Sequence, residues 1–156
     1  MPDQYETRDL RESDIPALST IADDTLFPGE TLGEMVAPAL AGESEDVWRV
    51  VSRGGALVGF AMAQPEPMTD RTWNLRAIAV SPELHGGGAG SVLLSAMEAA
   101  MSARLIVIDT TQLPEQDRAR QFYTARGYTH VSTIPEFFGA GEDKVTFVKF
   151  VDEARR

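Results

Sequence analysis

The sequence has no cysteine, which excludes disulfides and any route through a cysteinyl acyl intermediate. Histidine is almost as scarce. His85 and His130 are the only two, and neither has a second His or Cys at metal-ligand spacing, so no metal is expected. No apolar run approaches the roughly 18 residues of a membrane span. The opening MPDQYETRDL lacks a basic-then-apolar signal segment, so a cytoplasmic location is expected. Positive charge is also short, with 14 Lys and Arg against 24 Asp and Glu, a net charge of −10. That opposes nonspecific nucleic-acid binding, which depends on cations meeting phosphates. It mildly favours cationic partners, and suits equally an acidic surface that keeps a small protein in solution. What remains is ordinary for a globular chain: 156 residues, 43% hydrophobic, read as one domain over 1–156 with a real core.

The chain is organised around residues 75–101, LRAIAVSPELHGGGAGSVLLSAMEAAM. Leu75 to Val80 reads as a strand apolar on both faces, hence buried in a sheet. Ser81-Pro82 ends it. Then come four glycines in five residues, Gly86-Gly87-Gly88-Ala89-Gly90, and an amphipathic helix whose core stripe is expected at Val92, Leu93, Ala96, Ala100 and Met101. Glycine at a helix entrance is entropically costly and needs a reason. The first N–H groups of a helix lack internal partners, and the dipole puts partial positive charge there. A glycine loop lets those groups converge on a phosphate. The plainer reading is a tight turn. A Walker loop is excluded by the missing Lys after Gly90. A dinucleotide fingerprint is weakened, because Ser91 stands where its third glycine belongs, although Asp109 falls roughly where a ribose ligand would.

The remaining elements follow from periodicity and breakers. Gln4 to Leu10 alternates as a first strand. Ser13 or Asp14 caps a helix to about Leu26. Thr31 opens a second helix, Leu32 to Leu40, with Pro38 expected to kink or end it. Asp46–Ser52 and Ala56–Ala63 form a hairpin across Arg53-Gly54-Gly55. Residues 64–70 read as a loop and Arg71 to Val80 as the fourth strand. Arg104 to Thr110 is a second buried strand, and strand–helix–strand at this spacing implies a parallel pair. A helix over 115–126 ends at Gly127. Tyr128 to Ile134 and Lys144 to Val151 complete seven strands, with residues 135–143 expected as a mobile aromatic and acidic loop.

VSPELHGGGAGSVLL resembles the acyl-CoA loop of the GNAT superfamily of N-acyltransferases. Gly88 and Gly90 match its glycine pattern, and His85 stands in the Gln or Arg place. QDRARQFYTARGY is similar to a second segment of that family through Gln116, Ala119, Phe122, Tyr123, Gly127 and Tyr128. The resemblance implies an α/β (α+β mixed) fold, a GNAT-like central mixed sheet of about seven strands with four helices on both faces. It implies acetyl-CoA as cosubstrate, held by residues Gly86, Gly87, Gly88, Ala89, Gly90 and Ser91, with His85 and Gln116 beside them. Main-chain groups of Ile78, Ala79 and Val80 would polarise the thioester carbonyl, and Tyr123 would line the cofactor and act as general acid. The segment bearing Phe27, Glu30 and Glu34 would border the acceptor.

Asp109, late in a buried strand, is the best-placed carboxylate for a general base, against the plainer reading of a strand-end cap. Tyr123 has its own plainer reading, a core tyrosine with a capped hydroxyl. The expected function is transfer of an acetyl group from acetyl-CoA to a small or amino-acid-like primary amine in a ternary complex. The alternatives are a protein or peptide N-acetyltransferase and a non-catalytic CoA-binding regulatory module. Nucleic acid and membrane are not expected as partners, and a homodimer is admitted.

Overall fold

A computed structural model describes residues 4–151. Seven strands and four helices follow in the order β1 (Tyr5–Asp9), α1 (Ile15–Thr25), α2 (Leu32–Leu40), β2 (Val47–Arg53), β3 (Ala56–Pro65), β4 (Thr72–Val80), α3 (Ala89–Ala100), β5 (Leu105–Thr110), α4 (Asp117–Ala125), β6 (Thr129–Gly139) and β7 (Glu142–Phe150). The strand order is β1-β2-β3-β4-β5-β7-β6. The β1–β2, β2–β3, β5–β7 and β6–β7 pairs are antiparallel. The parallel pair expected on either side of α3 is β4 with β5, registered at Thr72↔Leu105, Trp73↔Ile106 and Asn74↔Val107.

The chain forms two compact units. The first holds the chain up to Pro65 together with Arg76–Ser102, and the second holds Glu66–Leu75 together with the chain from Ala103 on. In the first unit, α1 and α2 cover one face of β2 and β3. Leu18, Ile21, Ala22, Leu32 and Val36 meet Trp48, Val50, Phe60 and Met62 there. Full burial of side chains such as Leu18, Leu32 and Phe60 contributes roughly 1.5–3 kcal/mol each. By strand alternation Val51, Ala61 and Ala63 point to the other face, where α3 packs on β2 and β3.

The hairpin turn is the one expected, with Gly54 and Gly55 both left-handed at φ 58° and 86°. A register shift between Val51 and Ser52 bulges β3. At that bulge the Val58 carbonyl accepts from Ser81 N–H at 2.8 Å. Next to it, a Cβ on Gly59 would stand 2.6 Å from the Ala79 carbonyl oxygen. Only glycine fits between the two strands there.

Asp14 stands at the N-cap of α1, one of the two residues expected there, but its side chain makes no capping bond to that helix. It also ends a 3-10 turn, Glu12–Asp14. Its carboxylate accepts from Arg11 N–H at 2.8 Å and from both Arg8 guanidinium nitrogens at 2.8 and 2.9 Å. The Arg8 hydrogen bonds hold the Asp14 carboxyl below its usual range. Pro38 lies inside α2, which runs on to Leu40.

Two further expectations are corrected. Of the stripe expected on α3, Leu93 and Met101 are buried, but Ala89, Leu94 and Met97 complete the buried face while Val92 is 37% exposed. The helix is turned by about one residue from the face chosen, because Leu93 and Leu94 are the bulkier adjacent pair and take the core. Residues 135–143 are not a loop but the tip of a hairpin. β6 runs to Gly139, Gly139 pairs with Glu142, and the turn lies at residues 140–141. Its acidic side chains bind main chain: Asp143 accepts from Glu136 N–H at 2.9 Å, and Glu136 from Gly141 N–H at 3.0 Å.

Candidate functional site

In the first unit β4 ends at Val80, and Pro82–Leu84 forms a 3-10 turn before the glycines. Part of the loop binds itself, since Gly87 N–H donates to the Leu84 carbonyl at 3.1 Å. Gly88 is the N-cap of α3 at φ 98°, a left-handed conformation that L side chains strain to adopt. The first α3 donor satisfied by the helix is Val92 N–H, on the Gly88 carbonyl at 3.1 Å. Among the described residues the N–H groups of Gly88, Ala89 and Gly90 meet no backbone carbonyl. N–H groups without helical partners at a positive helix end are the kind of donors that an anion can meet.

His85 turns its ring back on the strand, with Nε2 3.0 Å from the Val80 carbonyl oxygen. A carbonyl only accepts, so Nε2 carries the proton. The ring therefore ties the loop to the end of β4. On the outer side of the loop is a hollow of about 440 Å³ lined by Tyr5, Arg53, Glu83, Gly86 and Gly87.

The other residues expected near the acceptor also lie in this unit. Phe27 packs edge-on against Phe60, with centroids 6.2 Å apart. Glu30 and Glu34 are exposed, at the turn before α2 and in its first turn. Asp23 accepts from Gly29 N–H at 2.6 Å. Ala79 and Val80 are buried and Ile78 half-buried.

In the second unit Tyr123 is the buried residue of α4, at 7% exposure. Its ring meets Tyr128 at 6.2 Å and Phe147 at 6.0 Å. The capping expected of a core tyrosine is not seen among the described residues; its hydroxyl is not among their buried unpartnered atoms, so that oxygen reaches solvent. Burial pushes the hydroxyl up to about 12, so it stays protonated at neutral pH and can only donate or accept as a phenol. Gly127, at φ 94°, turns the chain after α4 as expected. Gln116 half-buries its amide and accepts from Thr110 at 3.3 Å.

Asp109 lies on β5, opposite Thr146 of β7. Thr146 donates to its Oδ1 at 2.7 Å. Asn74 donates to Oδ2 at 3.4 Å, and Lys144 Nζ stands 3.9 Å from that oxygen. The neighbouring pair on the ladder is Ile108↔Phe147, and Phe147 is the ring that Tyr123 touches. Alternation along β5 and β7 thus puts Asp109 and Tyr123 on opposite faces of these strands. The sequence reading missed Asn74, Glu66, Thr146 and Lys144. One signal was available: an amide inside a strand otherwise buried, Thr72-Trp73-Asn74-Leu75.

The sequence model described as the acetyltransferase (GNAT) family matches residues 9–128. No curated protein matches the chain. Among solved structures, yncA from Salmonella typhimurium, determined with its cofactor acetyl-CoA, is 18% identical with a TM-score of 0.76, covering 97% of this chain and 96% of that one. The aminoglycoside 6′-N-acetyltransferase from Enterococcus faecium is 18% identical with a TM-score of 0.77, covering 93% and 96%. The ribosomal-protein-alanine N-acetyltransferase from Brucella melitensis is 21% identical with a TM-score of 0.75, covering 94% and 99%. These likenesses concern the fold, while the family match spans most of the sequence: the chain belongs to the GNAT acetyltransferase family.

Proposed function

We propose that this chain, acting as one domain, moves an acetyl group from acetyl-CoA to a primary amine by direct transfer in a ternary complex. The observation that carries the reading is the trio of unspent N–H groups at Gly88, Ala89 and Gly90 in a member of this family. Those amides bind the diphosphate of CoA, with the Gly86–Ser91 loop around it. Bound acetyl-CoA supplies an acyl group activated as a thioester.

The chain's own residues do the rest. Main-chain N–H from the Ile78–Val80 segment steadies charge on the carbonyl oxygen. Asp109 takes a proton from the acceptor nitrogen, directly or through a water. Tyr123 gives its phenolic proton to the departing sulfur. Support for Tyr123 comes from its buried ring on α4, whose burial keeps the phenol protonated and able to donate. An amine attacks only as the neutral base, and alkylammonium pKa values near 10 make the deprotonation necessary at pH 7. The acceptor is a small or amino-acid-like amine bordered by Phe27, Glu30 and Glu34.

Two relatives of the fold are named for an aminoglycoside and for a ribosomal-protein alanine, so a protein N-terminus is the second reading. Release of free thiol from acetyl-CoA, measured against a panel of small amines, amino acids and peptides, tests the proposal. Turnover with a small amine supports it, and turnover on peptides alone selects the second reading. Tight CoA binding without turnover on any class marks a regulatory module instead.

A further inference from the structure

Asn74 sits in the segment of β4 that pairs with β5 and is only 5% exposed. Its Nδ2 donates to Glu66 Oε2 at 3.0 Å and to Asp109 Oδ2 at 3.4 Å. Both protons of one amide nitrogen are thus committed to carboxylates. The amide oxygen could not replace that nitrogen, since acceptor would meet acceptor. Thr146 grips the other oxygen of Asp109 at 2.7 Å. The carboxylate is therefore clamped through both oxygens, from β4 on one side and β7 on the other, and a turn about its χ2 breaks both bonds.

A carboxylate has about four lone-pair sites, and these two neutral donors leave room on each oxygen. Of the charged groups facing it, Lys144 Nζ stands 3.9 Å from Oδ2 and also lies 4.3 Å from the centre of the Phe137 ring. Glu66 faces it across the Asn74 amide. Asn suits position 74 because Asp there would bring a third carboxylate to the same point.

We propose that Asn74 is a positioning residue, which holds the Asp109 carboxylate aimed at the nitrogen of the acceptor amine. The inference rests on the reading of Asp109 as general base. The step it serves moves one proton from the acceptor ammonium to an Asp109 oxygen and then to water. The freed nitrogen lone pair bonds the acyl carbon, the carbon–sulfur bond breaks, and the departing sulfur takes the Tyr123 proton, which the nitrogen's second proton replaces.

The test compares Asn74→Leu, Asn74→Ser and Asp109→Asn in the full chain. Misaiming a base by about 1 Å costs on the order of 10²-fold, so Asn74→Leu should lower kcat near neutral pH by about that factor with KM for acetyl-CoA unchanged. Asn74→Ser keeps one donor and should recover part of the rate; it also serves if the Leu variant fails to fold. A wild-type kcat in a folded Asn74 variant, or a loss carried by KM for acetyl-CoA alone, overturns the positioning role. Turnover by Asp109→Asn at the wild-type rate overturns the base reading instead.

Discussion

Replacing Tyr123 by Phe removes one oxygen from a site where the two readings of that residue predict opposite results. As a core tyrosine, its hydroxyl would be held by a protein partner worth about 1 kcal/mol, which the variant would lose with no effect on rate. The described residues show no such partner, the hydroxyl oxygen reaching solvent instead, and the ring contacts with Phe147 and Tyr128 survive in Phe. Stability should therefore stay within about 0.5 kcal/mol, a shift of some 1–2 °C in Tm for a chain of this size.

As general acid, the hydroxyl contributes at least about 10²-fold, or about 2.7 kcal/mol of barrier. The variant should then show kcat down by that factor, with KM for acetyl-CoA little changed. Because burial holds the phenol near 12, its loss should remove no limb from the pH–rate profile between pH 6 and 10. A raised phenol pKa stabilises the fold below the unfolded value of about 10 and loses that effect as pH rises through about 12. Wild type should lose stability across that window, and the Phe variant should lose less. Thiol-release kinetics and thermal melts suffice as assays. A variant with wild-type kcat, under conditions where chemistry limits the rate, refutes the assignment; so does a large drop in Tm accompanied by normal turnover.

Three other perturbations probe separate parts of the account. Gly88→Glu puts a side chain on a left-handed residue and a negative charge at the phosphate nest. Calorimetry should show CoA affinity down by more than tenfold, and unchanged affinity counts against the loop. Gly59→Ala drives a methyl to 2.6 Å from the Ala79 carbonyl. Strain of this kind costs about 1–3 kcal/mol, so Tm should fall, and kcat with it if the Ile78–Val80 main chain serves the carbonyl. Asp14→Asn leaves Arg8 and Arg11 without their anion, a loss of about 2 kcal/mol. Since the Asp14 carboxyl is held below its usual 3.8, its contribution is full above that pH and lost as pH falls further. Urea melts of variant and wild type should therefore converge in acid.

The glycine loop, the parallel pair, the Gly54-Gly55 hairpin and the Gly127 stop were all legible because each is written locally, in residues that constrain their own backbone. The clamp around Asp109 was not. It is assembled from Glu66, Asn74, Lys144 and Thr146, brought together only by the register of β4, β5 and β7. The tip at 135–143 read as a loop because Pro135 and the glycines are strand breakers. β6 is the last strand of the sheet, and an edge strand tolerates them. The misread face of α3 has a simpler source: Val92, Leu93 and Leu94 are three apolar residues in a row, and periodicity alone does not decide which one faces out. Likewise nothing local to His85 announces that its ring bonds the Val80 carbonyl.

The central claim is that main-chain amides at the head of α3 grip the diphosphate of CoA. A ¹⁵N–¹H correlation spectrum titrated with CoA addresses those amides one by one. The account predicts that the resonances of Gly88, Ala89 and Gly90 shift saturably and furthest, in parallel with each other. Saturable binding that leaves these three unmoved while other amides respond would contradict it.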